Sequence, residues 1–166
     1  MSAAPVKVVL TNCEMSMAAE CGIMRNLAAI IDNRPDANGF ADETGGWNAH
    51  IEGACGEVAA AKLLGRFCSP TVNTFHAPDI AGSIQVRTRS RHDYDLLVRP
   101  SDDPVHAYVH VTGRAPTFLV WGFIIGEQAR RAEWLKRHGG RPAAWFVPKA
   151  ALGSVNELFL RGLVTA

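Results

Sequence analysis

Residues 75–100 read FHAPDIAGSIQVRTRSRHDYDLLVRP, and the fold hangs on how this stretch is divided. A lone Pro78-Asp79 pair stands six residues ahead of the alternating run Gln85-Val-Arg-Thr-Arg89, in the most basic part of the chain. Side chains alternate between the two faces of a strand, so Ile84, Val86 and Thr88 share one face and Gln85, Arg87 and Arg89 the other. A turn through Ala81-Gly82-Ser83 predicts a hairpin that carries Asp79 toward Gln85.

Upstream, HIEGACGEVAAAKLLG, residues 50–65, predicts a helix stopped by Gly65, with Glu57 on a strip of Gly53, Ala60 and Leu64 and with Ala61 close by. Small neighbours let another element approach, which sets Glu57 against packed backbone or a cleft; an ordinary solvated Glu is the competing reading. Further back, Thr11-Asn-Cys-Glu14 has the form of a capping box and opens a helix to about Ile31. Its buried stripe is expected at Met15, Ala18, Ala19, Gly22, Ile23, Leu27 and Ile30. Val6 to Leu10 reads as a short strand or extended lead-in. The Asn-, Asp-, Gly- and Pro-rich run from Asp32 to Asn48 reads as a long surface loop, the best candidate for disorder.

Short strands are expected at Thr71–Phe75, Ile84–Arg89, Asp95–Arg99, Ala107–Thr112 and Thr117–Ile125, the last apolar enough for a central strand buried on both sides. EQARRAEWLKRH predicts a helix with a basic outer surface, ended by Gly139-Gly140. AAWFV predicts one more strand, and Ser154 to Glu157 the start of a short C-terminal helix. The order gives an α/β (α+β) domain with a mixed central sheet flanked by helices. A single domain is expected over 1–166: an N-terminal helix and loop (1–48), a core (49–147) and a C-terminal helical extension (148–166).

Composition narrows the class. A chain of 166 residues, 48% hydrophobic and 20% charged, suits one globular domain. It has no run of 18 apolar residues, and its N-terminus lacks a basic segment leading into an apolar one, so the expectation is a soluble cytoplasmic protein with no membrane attachment. Cys13, Cys21, Cys55 and Cys68 form no CxxC pair and read as reduced thiols rather than a zinc site. Cut after Ser83, the first part carries five Lys/Arg against nine Asp/Glu and the rest twelve against seven, or −4 against +5. Such blocks fit an acidic site beside a basic, polyanion-binding surface, as well as ordinary solvated faces.

Glu57, Asp79, Gln85 and Arg87 are the candidate site. Phosphodiester hydrolysis needs oxygen ligands for a hard cation and a positive side chain for the charge developing on phosphorus. Pro78-Asp79 with Gln85-Val-Arg87, preceded by the helix holding Glu57, resembles the PD-(D/E)xK nuclease superfamily. That resemblance implies a restriction-endonuclease-like core, Glu57, Asp79 and Gln85 around Mg²⁺ or Mn²⁺, Arg87 in the place of the motif lysine, and deoxyribonuclease activity. LTxxE, RNLA, HIEGACGEVAAAKLLG, APDIxxxIQVRTR, DLLVRP, YVHVTG and WFVPxxxL together look like a set of uncharacterised tailed-phage and prophage proteins over nearly the whole chain, which would place this one in the host cytoplasm.

Two departures from the motif matter. A Gln carbonyl ligates a cation without neutralising it, so Mg²⁺ binds more weakly than to a carboxylate pair. Arg87 binds phosphate, but with a pKa above about 12 it cannot take a proton from water. The alternative is therefore a catalytically inactive nuclease-fold module that binds nucleic acid or a protein partner, such as a host-defence or virion component, as a monomer or homodimer.

Arg89, Arg91, His92 and Arg99 cluster round the motif strand as candidate DNA-phosphate contacts, or as charges guarding an edge strand; Asp93 and Asp95 stand ready to pair with them. Arg130, Arg131, Lys136, Arg137 and Arg141 read as a solvated helix face. The six histidines form no HxH or HExxH. His50 and His76 flank Glu57 and Asp79, and His110 is expected on a sheet surface. No nucleophile elbow, P-loop or dinucleotide-binding glycine pattern is present.

Overall fold

The capping box forms as its sequence requires: Thr11 Oγ1 accepts from the Glu14 N–H at 3.3 Å, and the Glu14 carboxylate accepts from the Thr11 N–H at 2.6 Å. In this computed structural model, residues 4–33, 46–66, 68, 72, 78–80 and 82–161 are described. In chain order the elements are β1 (Val6–Val9), α1 (Asn12–Ile31), α2 (Trp47–Leu63), β2 (Ile84–Arg89), β3 (Leu96–Val98), β4 (Ala107–Arg114), β5 (Thr117–Ile125), α3 (Gly126–Ala129), β6 (Leu135–Lys136), β7 (Ala144–Val147) and α4 (Asn156–Leu160). Single turns of 3-10 helix lie at Ala132–Trp134 and Lys149–Ala151. The expected strand at Thr71–Phe75, Val72 apart, lies outside the described residues, as do residues 34–45 of the expected loop.

The main sheet runs β1-β5-β4-β2, with β2 and β4 parallel and the other neighbours antiparallel; a smaller antiparallel sheet runs β3-β7-β6. The domain is thus mixed α/β, with a mixed sheet and four α-helices among the described residues. Helix α2 covers one face of the main sheet, packing Ala54, Val58, Ala59 and Ala61 with Ile84, Val86, Val109, Val111, Phe118 and Val120. The small sheet closes the other face, where Leu96, Val98 and Val147 meet Tyr108 and Ile124. Close approach on the α2 side depends on Gly56, since Thr88 of β2 fills the space a Cβ would take. The described C-terminal stretch belongs to the same core: Gly153 bridges Phe123, and Leu158 is fully buried. No helix of the described residues is long and apolar enough to cross a membrane.

Three expectations are corrected. First, β5 is central, between β1 and β4, with every residue buried or half-buried, but the strand fully enclosed on both faces is β4, every residue of which except Arg114 is buried. β4 reads as less apolar because its far face holds Tyr108, His110 and Thr112. Each finds a partner: the Tyr108 hydroxyl donates to the Asp103 carbonyl at 3.0 Å, His110 Nε2 to the Tyr94 carbonyl at 3.0 Å, and Thr112 Oγ1 accepts from Trp121 Nε1 at 2.7 Å. His110 is therefore interior rather than on a sheet surface, and burial pushes its pKa down to about 4.

Second, EQARRAEWLKRH does not make one helix. It turns at Arg130, whose guanidinium donates to the Asp102 carbonyl at 2.5 Å and lies over Trp145, and Leu135–Lys136 then pair with β7. Sheet pairing overrides a helical propensity that the solvent-facing residues alone supported.

Third, α1 buries Ala18, Cys21, Gly22 and Asn26 but exposes Ile23, Leu27 and Ile30. A Cβ on Gly22 would stand 2.5 Å from Ile51 Cα, so α1 lies too close to α2 for large residues to face inward.

Candidate functional site

Glu57 is buried in α2 among alanines and glycines, as its neighbours in the sequence predict. Its carboxylate is closed by Arg25 of α1, which donates Nη1 to Oε1 at 2.7 Å and Nη2 to Oε2 at 2.8 Å. This fork-to-fork pair occupies both carboxylate oxygens, and the geometry is bidentate. Burial opposes the charge on Arg25, but Glu57 outweighs it and the guanidinium titrates above its ordinary range.

Asp79 reaches the outer edge of β2. An antiparallel bridge between Ile80 and Ile84 turns the chain as the hairpin reading requires, and Asp79 Oδ2 accepts from the Val86 N–H at 2.7 Å. The contact is with Val86 rather than Gln85, because only alternate N–H groups of β2 point away from β4. Burial and the nearby Glu57 charge push the Asp79 pKa up to about 6, while the Val86 N–H, Arg87 and Arg25 pull it back. Cys21 and Cys68 are buried beside this cluster, and desolvation pushes both thiols up, Cys68 to about 11.

Gln85 and Arg87 lie on the other face of the sheet. Register pairs Gln85 with Tyr108 and Arg87 with His110, whereas Val86 and Thr88 pair with Val109 and Val111 under α2. Arg87 donates to Asp102 Oδ1 at 2.9 Å and stands over the Tyr108 ring at 5.1 Å; Asp102 Oδ2 accepts from the Arg99 N–H at 2.8 Å. Gln85, Arg87, Asp102, His106 and Tyr108 border a polar cavity of about 420 Å³.

The structure thus brings Glu57 and Asp79 together and places Gln85 and Arg87 across the sheet from Glu57. As a divalent-cation site the set does not fit in this arrangement: Arg25 holds both Glu57 oxygens, Gln85 is on the opposite face, and Asp79 is left as the lone acidic ligand. Among the described residues no three His, Cys, Asp or Glu side chains are placed to hold a metal ion. His50 is half-buried on α2, and His76 lies outside the described residues.

The basic residues after β2 gather round Tyr94. Arg89 lies 4.7 Å and Arg91 5.2 Å from the centre of its ring, and Lys149 Nζ donates to its carbonyl at 2.7 Å while standing 5.0 Å from Trp121. Arg141 is near enough, with burial as the larger cause, to help lower the Arg89 pKa. His92 Nδ1 shares Thr112 Oγ1 at 2.8 Å. Arg91 pairs with Asp93 at 2.7 Å, as the sequence allows, and Arg99 lies apart beside Asp102. Sequence reasoning missed Arg25, Tyr94, Asp102 and Lys149; each acts through a partner 15 to 55 residues away, except Tyr94, whose Arg-x-x-Tyr spacing was a visible signal.

No family model, curated protein or solved structure matches this chain.

Proposed function

We propose that this protein binds nucleic acid without cleaving it, on a PD-(D/E)xK-like core, through the face built by Arg89, Arg91, His92, Lys149 and the exposed Tyr94. The observation that supports this most is the grouping of Arg89 and Arg91 over the Tyr94 ring, with Lys149 on the Tyr94 carbonyl and Arg141 near Arg89, at the end of the motif strand. Cations neutralise phosphates, so affinity falls steeply with salt and tolerates sequence. Arg25 on Glu57 favours binding over metal-dependent cleavage, because a neutralised carboxylate contributes little to a cation site.

A second reading, Mg²⁺- or Mn²⁺-dependent DNA cleavage, draws on one observation: Glu57 and Asp79 are close enough for Glu57 to raise the Asp79 pKa. One experiment separates the two. Fluorescence anisotropy with single- and double-stranded DNA at low and moderate salt, with and without Mg²⁺, is followed by gel analysis of the same samples. The binding reading expects intact DNA, metal-independent affinity and at least about tenfold loss in an Arg89→Ala/Lys149→Ala variant. Cleavage abolished by Asp79→Ala supports the nuclease reading instead, and no binding at low salt overturns both.

A further inference from the structure

The polar cavity of about 420 Å³ lies on the face of β2 turned away from α2, where Gln85 and Arg87 meet Ser101, Asp103 and His106 from the stretch between β3 and β4. Arg87 is held in place there: Asp102 takes one N–H of its guanidinium at 2.9 Å, and the Tyr108 ring lies 5.1 Å beneath it. The other N–H groups of the guanidinium have no partner among the described residues. Asp103 is half-spent in the same way. Its Oδ1 accepts from the Val105 N–H at 3.0 Å, whereas its Oδ2 has only the His106 ring, 4.0 Å away. The cavity thus presents unspent donors at Arg87 and an unspent acceptor at Asp103.

We propose that this cavity receives one unpaired base of a single-stranded nucleic acid, an inference that rests on the binding reading above and names the form of nucleic acid bound. Charge narrows the occupant first. The lining sets Arg87 against Asp102 and Asp103, one cation against two carboxylates, and a protonated His106 only brings it to balance. Such a lining repels a phosphate or carboxylate group. Polar walls give a hydrocarbon nothing and would lose their water to it. Among the described residues no three His, Cys, Asp or Glu side chains gather here to hold a metal ion. A nucleobase is neutral and carries N–H donors beside carbonyl or ring-nitrogen acceptors on one edge, the complement of a carboxylate and a guanidinium. The volume falls within the roughly 300–1,000 Å³ of small-ligand sites. Position supplies the rest. Arg87 and Arg89 share a face two residues apart, about 7 Å along β2, so a strand whose phosphates lie on Arg89 and Arg91 runs beside the cavity wall. In a duplex the pairing edge of each base is already spent, which leaves the single strand as the form that fits.

The test uses the full chain and three labelled probes of equal length at one salt concentration: single-stranded DNA, the matched duplex, and an abasic strand with the same phosphates and no bases. Anisotropy is expected to show the single strand bound about tenfold or more tighter than either of the others. Ser101→Trp fills the cavity from an exposed position and is expected to bring the single strand down to the affinity of the abasic strand, while the abasic strand itself binds the variant as it binds the wild type. That unchanged affinity also shows that the variant is folded. Arg89→Ala/Lys149→Ala, by contrast, is expected to weaken all three probes together. Equal binding of the three probes, or a Ser101→Trp variant that affects all of them alike or none, overturns the base pocket and leaves the cationic face standing; no binding of any probe at low salt overturns both.

Discussion

At the edge of β2 on the α2 side, Arg25, Glu57 and Asp79 meet at short range and satisfy one another or the backbone. Across the same strand, Arg87 is held by Asp102 in a pair as enclosed as Arg25–Glu57, beside a polar cavity, and Arg89 lies half-buried over Tyr94. Six residues supply both environments because alternate side chains of one strand belong to opposite faces. A sequence spacing that places an acid, an amide and a guanidinium within ten residues therefore does not put them in one site. The acidic side has the packing of a structural joint between α1, α2 and β2; the basic side is enclosed at Arg87 and opens to solvent only past the end of the strand, at Arg91.

The difference is broken most severely at the joint's closest contact. Gly56→Val drives a side chain into Thr88 and is expected to cost about 3 kcal/mol or more, measured as a fall in the urea midpoint; a smaller loss would mean that α2 can lift off the sheet. One turn earlier nothing lies within 4 Å of a Cβ at Gly53, which makes Gly53→Ala the internal control.

Next in size is Glu57→Ala, which leaves the Arg25 charge partly buried. Partial exposure of both side chains trims the usual penalty, so about 2 kcal/mol is expected, with an Arg25→Met/Glu57→Leu pair recovering most of it. The solvated Arg91–Asp93 pair supplies the contrast: Arg91→Ala is expected to leave unfolding unchanged and to weaken DNA binding. If the two substitutions were equally disruptive, the distinction between joint and surface would fail.

The acid titration sharpens the same comparison. Asp79 titrates near 6 in the folded chain against an ordinary 3.8, so it favours folding below about pH 4 and that contribution is lost as the pH rises through 6. His110 titrates near 4 against 6.5, so its contribution is complete above 6.5 and is lost as the pH falls toward 4. Wild-type stability is expected to vary little between pH 4.5 and 7 because the two oppose each other. Asp79→Asn removes one, and the variant is expected to gain about 2 kcal/mol at pH 7 relative to pH 4.5, read from urea unfolding at both values. An unchanged pH profile would show that Asp79 is not held as described.

Smallest is Gly53→Ala itself, expected to stabilise α2 by about 0.5 kcal/mol through helix propensity.

Much of this architecture was legible in the chain. The Thr11–Glu14 capping box, the limits of Ile84–Arg89 and Thr117–Ile125, the turn that brings Asp79 back to β2 and the burial of Glu57 all follow from patterns spanning a few residues, where periodicity and capping chemistry act locally. Partner identity does not. That Arg25 closes Glu57, that Asp102 holds Arg87, that Leu135 and Lys136 pair with β7 instead of extending a helix, and that α1 turns its large apolar residues outward were decided by contacts between distant segments. Gly22 and Gly56 allow α1, α2 and β2 to lie so close that volume, rather than hydrophobicity, determines which side chains face in. A pattern of hydrophobic spacing records which residues can share a face; the distance to the neighbouring element decides which face that is.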